Sequence, residues 1–133
     1  MIRQVKNAKE IVVTAQNKVG MLASIAKALA DRGINILAIS AQAAGGVGLI
    51  NMVVDDHQHA VDLLRKKKLS VQENPVLLLE VEDKPGVLRR LTQKLAARKI
   101  DVLNIYGSAP STYAPCLLVL ASSNTQKAAL ALR

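Results

Sequence analysis

The chain has 133 residues, 50% of them hydrophobic and 21% charged, with a formal net charge of +8 and a pI near 9.9. That size suits one ordinary domain or two small ones of about 60 residues each, at the low edge of independent stability. The composition excludes disordered and low-complexity classes, and no apolar run approaches the roughly 20 residues of a membrane helix.

Met1 to Glu10 is polar and charged, with no apolar stretch of the signal-peptide kind. One cysteine, Cys116, allows no intramolecular disulfide, which fits a cytoplasmic protein. It lies in the apolar run Cys116–Leu120 and reads as a buried structural thiol rather than a nucleophile. There is no Phe or Trp, only Tyr106 and Tyr113, so recognition of bases or sugars by stacking has little to use.

In chain order, Ile11-Val12-Val13-Thr14 is a β-branched run and predicts a strand. Asn17-Lys18-Val19-Gly20 is turn chemistry that can also cap a helix. Leu22, Ile25, Ala26 and Leu29 follow at helical spacing, and Gly33 stands where a helix-ending glycine would. A strand over Ile34 to Ser40 then turns through Ala44-Gly45-Gly46-Val47-Gly48 into another at Leu49 to Val54. A helix from about Gln58 to Lys67 and a short strand at Leu69 to Gln72 complete the order βαββαβ.

The same order begins again. Val76 to Leu79 is a strand, Asp83-Lys84-Pro85-Gly86 a turn, and Leu88, Leu91 and Leu95 a helix face; Ile100 to Tyr106 mirrors the second strand. Sliding the chain by 66 residues without a gap aligns twelve identities, from Lys18 with Lys84 and Gly20 with Gly86 to Val53 with Val119 and Leu64 with Leu130. This is an internal duplication.

The fold class is therefore α+β: two tandem ferredoxin-like βαββαβ repeats, residues 1–74 and 75–133, with antiparallel sheets carrying helices on one face. The second repeat lacks its last strand, because the equivalent of Leu69 falls beyond Arg133; either its sheet lacks an edge or another segment, Ile2 to Val5 being the candidate, fills it. Val76–Leu79, Ile36–Ile39 and Leu117–Leu120 are apolar at both parities, whereas a sheet with one wet face alternates. The open face is expected to be covered by repeat-on-repeat packing or, preferably, in a homo-oligomer such as a dimer.

Asn17-Lys18-Val19-Gly20-Met21-Leu22, a helix, then Gly33-Ile34-Asn35-Ile36 resembles the signature of the ACT domain. Asp83-Lys84-Pro85-Gly86-Val87-Leu88 with Ile100-Asp101-Val102 is nearer still to that family's Asp-x-Pro-Gly loop. The resemblance covers residues from about 9 to 133 and implies a tandem, non-catalytic regulator that binds a small-molecule amino acid and controls an enzyme or other protein partner. It implies ligand contacts at Asn17, Val19, Gly20, Met21 and Leu22, with Asn35 reaching in across a repeat or subunit interface. A weaker second site falls at Asp83, Gly86, Val87, Leu88 and Asp101.

Elementary chemistry gives the loop the same use. A turn feeding a helix N-terminus leaves the N–H groups of Gly20, Met21 and Leu22 free for a carboxylate, and the helix dipole favours it. Asn17 and Asn35 offer amides to an amino acid. Asp83 and Asp101 replace both amides in the second repeat and Pro85 removes a donor, so that loop reads as structural. The family's loop often carries a polar residue where this chain has Ala15.

Other candidates read as structure. Asp55-Asp56-His57-Gln58-His59 lacks the spacing of a metal site and reads as helix capping; Gly45-Gly46-Val47-Gly48 lies between two strands and reads as a hairpin rather than a phosphate loop. No catalytic motif, metal or cofactor is expected. Residues 1–66 carry eight basic and five acidic groups, the remainder ten and five. Arg65-Lys66-Lys67-Lys68 suits a helix C-terminus, while Arg89, Arg90, Lys94 and Arg98 form a looser stripe. The competing function is thus a structural or basic adaptor without ligand; an acidic protein fits that stripe better than nucleic acid, and no membrane is involved.

Overall fold

The computed structural model describes residues 1–109, 111 and 114–133, so Tyr113 lies outside it. The chain forms two units, residues 9–74 and residues 75–133 together with 1–8. The elements are β1 (Ile2–Gln16), α1 (Met21–Ala30), β2 (Ile36–Ala44), β3 (Val47–Val54), α2 (His57–Lys66), β4 (Ser70–Val81), α3 (Val87–Ala97), β5 (Val102–Ser108), β6 (Cys116–Ser122) and α4 (Thr125–Leu132).

In the 9–74 unit the strands run β2-β3-β1-β4, the order of a ferredoxin-like fold. β1 pairs antiparallel with β3, Ile11 facing Met52 and Val13 facing Ile50, and β3 pairs antiparallel with β2. Alternation puts Ile11, Val13, Ile50, Met52 and Val54 on one face, where they pack with Ile25 and Leu29 of α1 and Ala60, Val61 and Leu64 of α2. Those helices follow from the apolar spacing read above. Asp56 caps α2 by accepting from the His59 N–H, and Gly45 and Gly46 at positive φ make the β2–β3 hairpin.

In the other unit the order is β1-β4-β6-β5, so residues 2–8 of β1 take the place of the absent fourth strand. Ile2 and Val5 pack against the core of Leu77, Leu79, Leu91, Leu95 and Leu120, and the Glu82 N–H donates to the Met1 carbonyl at 2.8 Å. The first eight residues thus leave the repeat to which their sequence position assigned them. Apolar Ile2 and Val5 find a core only where a strand position is open. Leu69–Gln72 and Val76–Leu79, read as separate strands, belong to or adjoin one continuous β4 that passes through Pro75.

The gap-free alignment holds through β2 and β5 and then slips by two. Ile11 faces Met52 and its counterpart Leu77 faces Leu120, a step of 66 on one strand and 68 on the other. Val53 with Val119 and Leu64 with Leu130 are therefore chance identities. The helix caps agree, Asp56 corresponding to Asn124, and Leu64 is matched by buried Leu132 while Leu130 is 70% exposed. At the parity facing away from the helices, Val12 and Val53 in the 9–74 unit and Val76, Leu78 and Val119 in the other are buried.

Two stability outcomes follow. Leu132→Ala should cost about 2–5 kcal/mol, as deletion of a buried leucine does. Leu130→Ala should change stability by no more than about 0.5 kcal/mol, both read from denaturant unfolding. On β4, Glu73 accepts from His57 Nε2 at 2.7 Å; this hydrogen bond, with Arg65 and Lys9 nearby, holds its carboxyl below the usual range. A lowered folded value means stability present above the unfolded carboxylate range and lost as pH falls through the folded value. The melting temperature of the parent should therefore drop more steeply below about pH 4.5 than that of Glu73→Gln.

Candidate functional site

β1 leaves its sheet at Gln16, and after four intervening residues α1 begins. That reversal is possible because Gly20 takes φ 88, a left-handed conformation costly for residues with a Cβ. The turn is fixed by the Met21 N–H donating to the Lys18 carbonyl at 3.1 Å and the Asn17 N–H to the Gly46 carbonyl at 2.9 Å. The Met21 N–H is therefore not free, as the loop chemistry alone implied. Asn17 does not cap the helix either: α1 has no side-chain cap, and the Asn17 amide is left for another use.

Beneath this turn lies a cavity of about 360 Å³, lined by Ala15, Asn17, Lys18, Gly20, Met21, Leu22, Ala23, Ala41, Gln42, Ala43, Gly48 and Ile50. Its position follows from strand register. Ala15 faces Gly48 across β1 and β3, Ala43 faces Gly48 and Ala41 faces Ile50 across β2 and β3. Small residues at each of these crossings leave space between the strand ends and the first turn of α1. Gly48 contributes by lacking a side chain; a Cβ there would meet Ala15 O at 3.6 Å, an ordinary contact.

Of the residues expected to bind ligand, Asn17, Gly20, Met21 and Leu22 come together here. Val19 is fully exposed and outside the lining. Asn35 lies past the other end of α1, where its N–H donates to Asp55 Oδ1 at 3.0 Å and its carbonyl accepts from the Asp55 N–H. Lys18 and the alanine wall were missed by sequence reasoning. The loop motif signals the helix end, but the wall appears only once the pairing of β1, β2 and β3 is known.

The second unit repeats the geometry with altered contents. Gly86 also takes φ 88, α3 has no side-chain cap, and a smaller cavity of about 160 Å³ is lined by Val81, Glu82, Asp83, Lys84, Val87, Leu88, Cys116 and Leu118. By the register above, Val81 replaces Ala15, Cys116 replaces Gly48 and Leu118 replaces Ile50, each filling or reshaping the space. Gly86 and Asp101 are not in the lining; the Asp101 N–H donates to Ser123 Oγ at 2.9 Å.

The charges diverge as well. Lys84 pairs with Glu82 at 2.8 Å, and Lys84 and the Met1 amino group hold the Glu82 carboxyl down at about 2. Burial, with Asp83 beside it, pushes the Cys116 thiol up, which keeps it protonated and suits a structural group. In the first unit Gln16 stands in place of Glu82 and Asn17 in place of Asp83. Lys18 accordingly has no ion-pair partner among the described residues. One loop is thus cationic and roomy, the other acidic and filled.

The family model of the ACT domain matches residues 9–68 and 75–133. A search of curated proteins finds no match. Among solved structures, protein BT0572 from Bacteroides thetaiotaomicron is similar with a TM-score of 0.89 at 23% identity, over 96% of this chain and 88% of that one. The regulatory subunit of aspartate kinase from Thermus thermophilus is similar with a TM-score of 0.71 at 16% identity, over 99% and 95%. Aspartokinase alpha and beta subunits give 0.68 at 15% identity, over 99% and 96%. At these identities the likeness is one of fold.

Proposed function

This chain belongs to the ACT domain family, and on that premise we propose that it is a non-catalytic regulator that binds one free amino acid in the cavity under α1 and transmits occupancy to a partner protein. The observation that carries this reading is the contrast between the two cavities, about 360 Å³ against about 160 Å³. The larger lies at the low end of the roughly 300–1,000 Å³ usual for small-molecule sites, and the smaller falls below it.

In this reading the α-carboxylate sits at the N-terminus of α1, facing the Lys18 ammonium and the positive end of the helix dipole. The Asn17 carbonyl oxygen accepts from the α-ammonium. The second cavity would set the same carboxylate against Asp83 and Glu82, so binding is one ligand per chain. Its loop then serves to start α3.

Occupancy matters to a partner because the ligand ties the loop after β1 to β2 and β3, and so stabilises whichever arrangement presents that surface. For the homodimer expected from the sequence, edge strand β2 offers apolar surface at Leu37 and Ile39, each 43% exposed. The relatives described as aspartate kinase regulatory subunits support a regulatory use of this fold.

The test is a thermal-shift and calorimetric panel of the free amino acids. A ligand at about 100 times its dissociation constant adds about 2.7 kcal/mol, a readily seen rise in melting temperature. Calorimetry should give one site per chain. Ala15→Val with Gly48→Cys, which installs the second unit's residues in the first, should abolish binding and preserve the fold. Lys18→Ala should weaken it at least tenfold. Two equal sites per chain, or binding indifferent to these changes, would defeat the proposal.

A further inference from the structure

From the lining of the same cavity, and resting on that reading, we infer that the ligand is an amino acid with a neutral, apolar side chain. With the α-carboxylate held at the loop, the rest of the cavity lining that a ligand side chain can lie against is the wall made by Ala15, Met21, Ala41, Ala43 and Ile50. The register puts Ala41 and Ala43 on the same face of β2 as the helices, since they pair with Ile50 and Gly48 of the core-facing row.

No Asp or Glu lines this cavity. A lysine or arginine side chain lying against this wall would give up water without gaining a counter-ion. A second carboxylate fares no better: Lys18 is the sole cation in the lining, and the α-carboxylate takes it. A hydroxyl finds alanine methyls on the wall. Gln42, the nearest amide on β2, stands at the opposite parity from Ala41 and Ala43. Apolar side chains need none of these partners and gain by leaving water.

The experiment titrates the full chain with leucine, isoleucine, valine, methionine and phenylalanine in one arm and lysine, arginine, aspartate, glutamate and serine in the other. The apolar arm should raise the melting temperature at millimolar concentration, with the best member at least tenfold tighter than any in the second arm. Tightest binding by a charged or hydroxyl amino acid would overturn the side-chain class and leave the site standing. Silence from both arms would overturn the site itself.

Ala43→Asp provides a second reading on a position that is exposed and near the end of an edge strand, where the fold tolerates change. A carboxylate on that wall should shift the leucine-to-lysine preference toward lysine by at least tenfold. An unchanged preference would mean that the side chain does not lie against this wall, and would overturn the inference.

Discussion

Both strand-to-helix loops depend on one backbone conformation. Gly20 and Gly86 each sit at φ 88 immediately before a helix, and no side chain caps either helix. With that left-handed residue the chain turns from strand to helix in four residues and sets the helix N-terminus above the ends of the central strands. A Cβ at Gly20 would meet no neighbour within 4 Å, so the requirement is conformational and not one of space. From this follow the buried faces of α1 and α3, the polar groups left at the helix starts and the cavity beneath each.

Duplication supplied two such loops, and side-chain volume and charge then separated them. Ala15, Gly48 and a Lys18 with no ion-pair partner among the described residues leave one roomy and cationic; Val81, Cys116 and the Glu82–Lys84 pair narrow the other. The same separation marks the helices. The exposed positions Arg89, Arg90 and Lys94 of α3 correspond to Ala23, Ser24 and Ala28 of α1. The excess positive charge of the chain therefore gathers on the unit with the smaller cavity.

Much of this was legible beforehand, because local pattern carried it. Strand, glycine turn and amphipathic helix recur at a fixed spacing, so the βαββαβ order, the resemblance and the loop itself could be read from residues. Apolar Ile2 and Val5 in an otherwise polar segment were enough to make them candidates for the missing strand. What depends on distant pairing was not legible. The two-residue slip between β3 and β6 leaves no gap that identities reveal, since Val53 with Val119 and Leu64 with Leu130 match by chance. Leu69–Gln72 and Val76–Leu79 read as separate strands, yet Ser70–Val81 is one continuous β4. Asn35, expected to reach a ligand across a repeat or subunit interface, lies beyond the far end of α1 from its own loop. The alanine wall is silent in sequence, because an alanine declares itself part of a cavity only once its cross-strand neighbours are known.

Chemical-shift mapping of backbone amides during titration with the tightest-binding amino acid tests the central claim most directly, since it locates the ligand without altering the chain. The account predicts perturbations confined to residues 15–23 and 41–50, saturating at one equivalent, with residues 81–88 and 116–118 unmoved. Perturbation of both sets to a similar extent, or of the second alone, would contradict it.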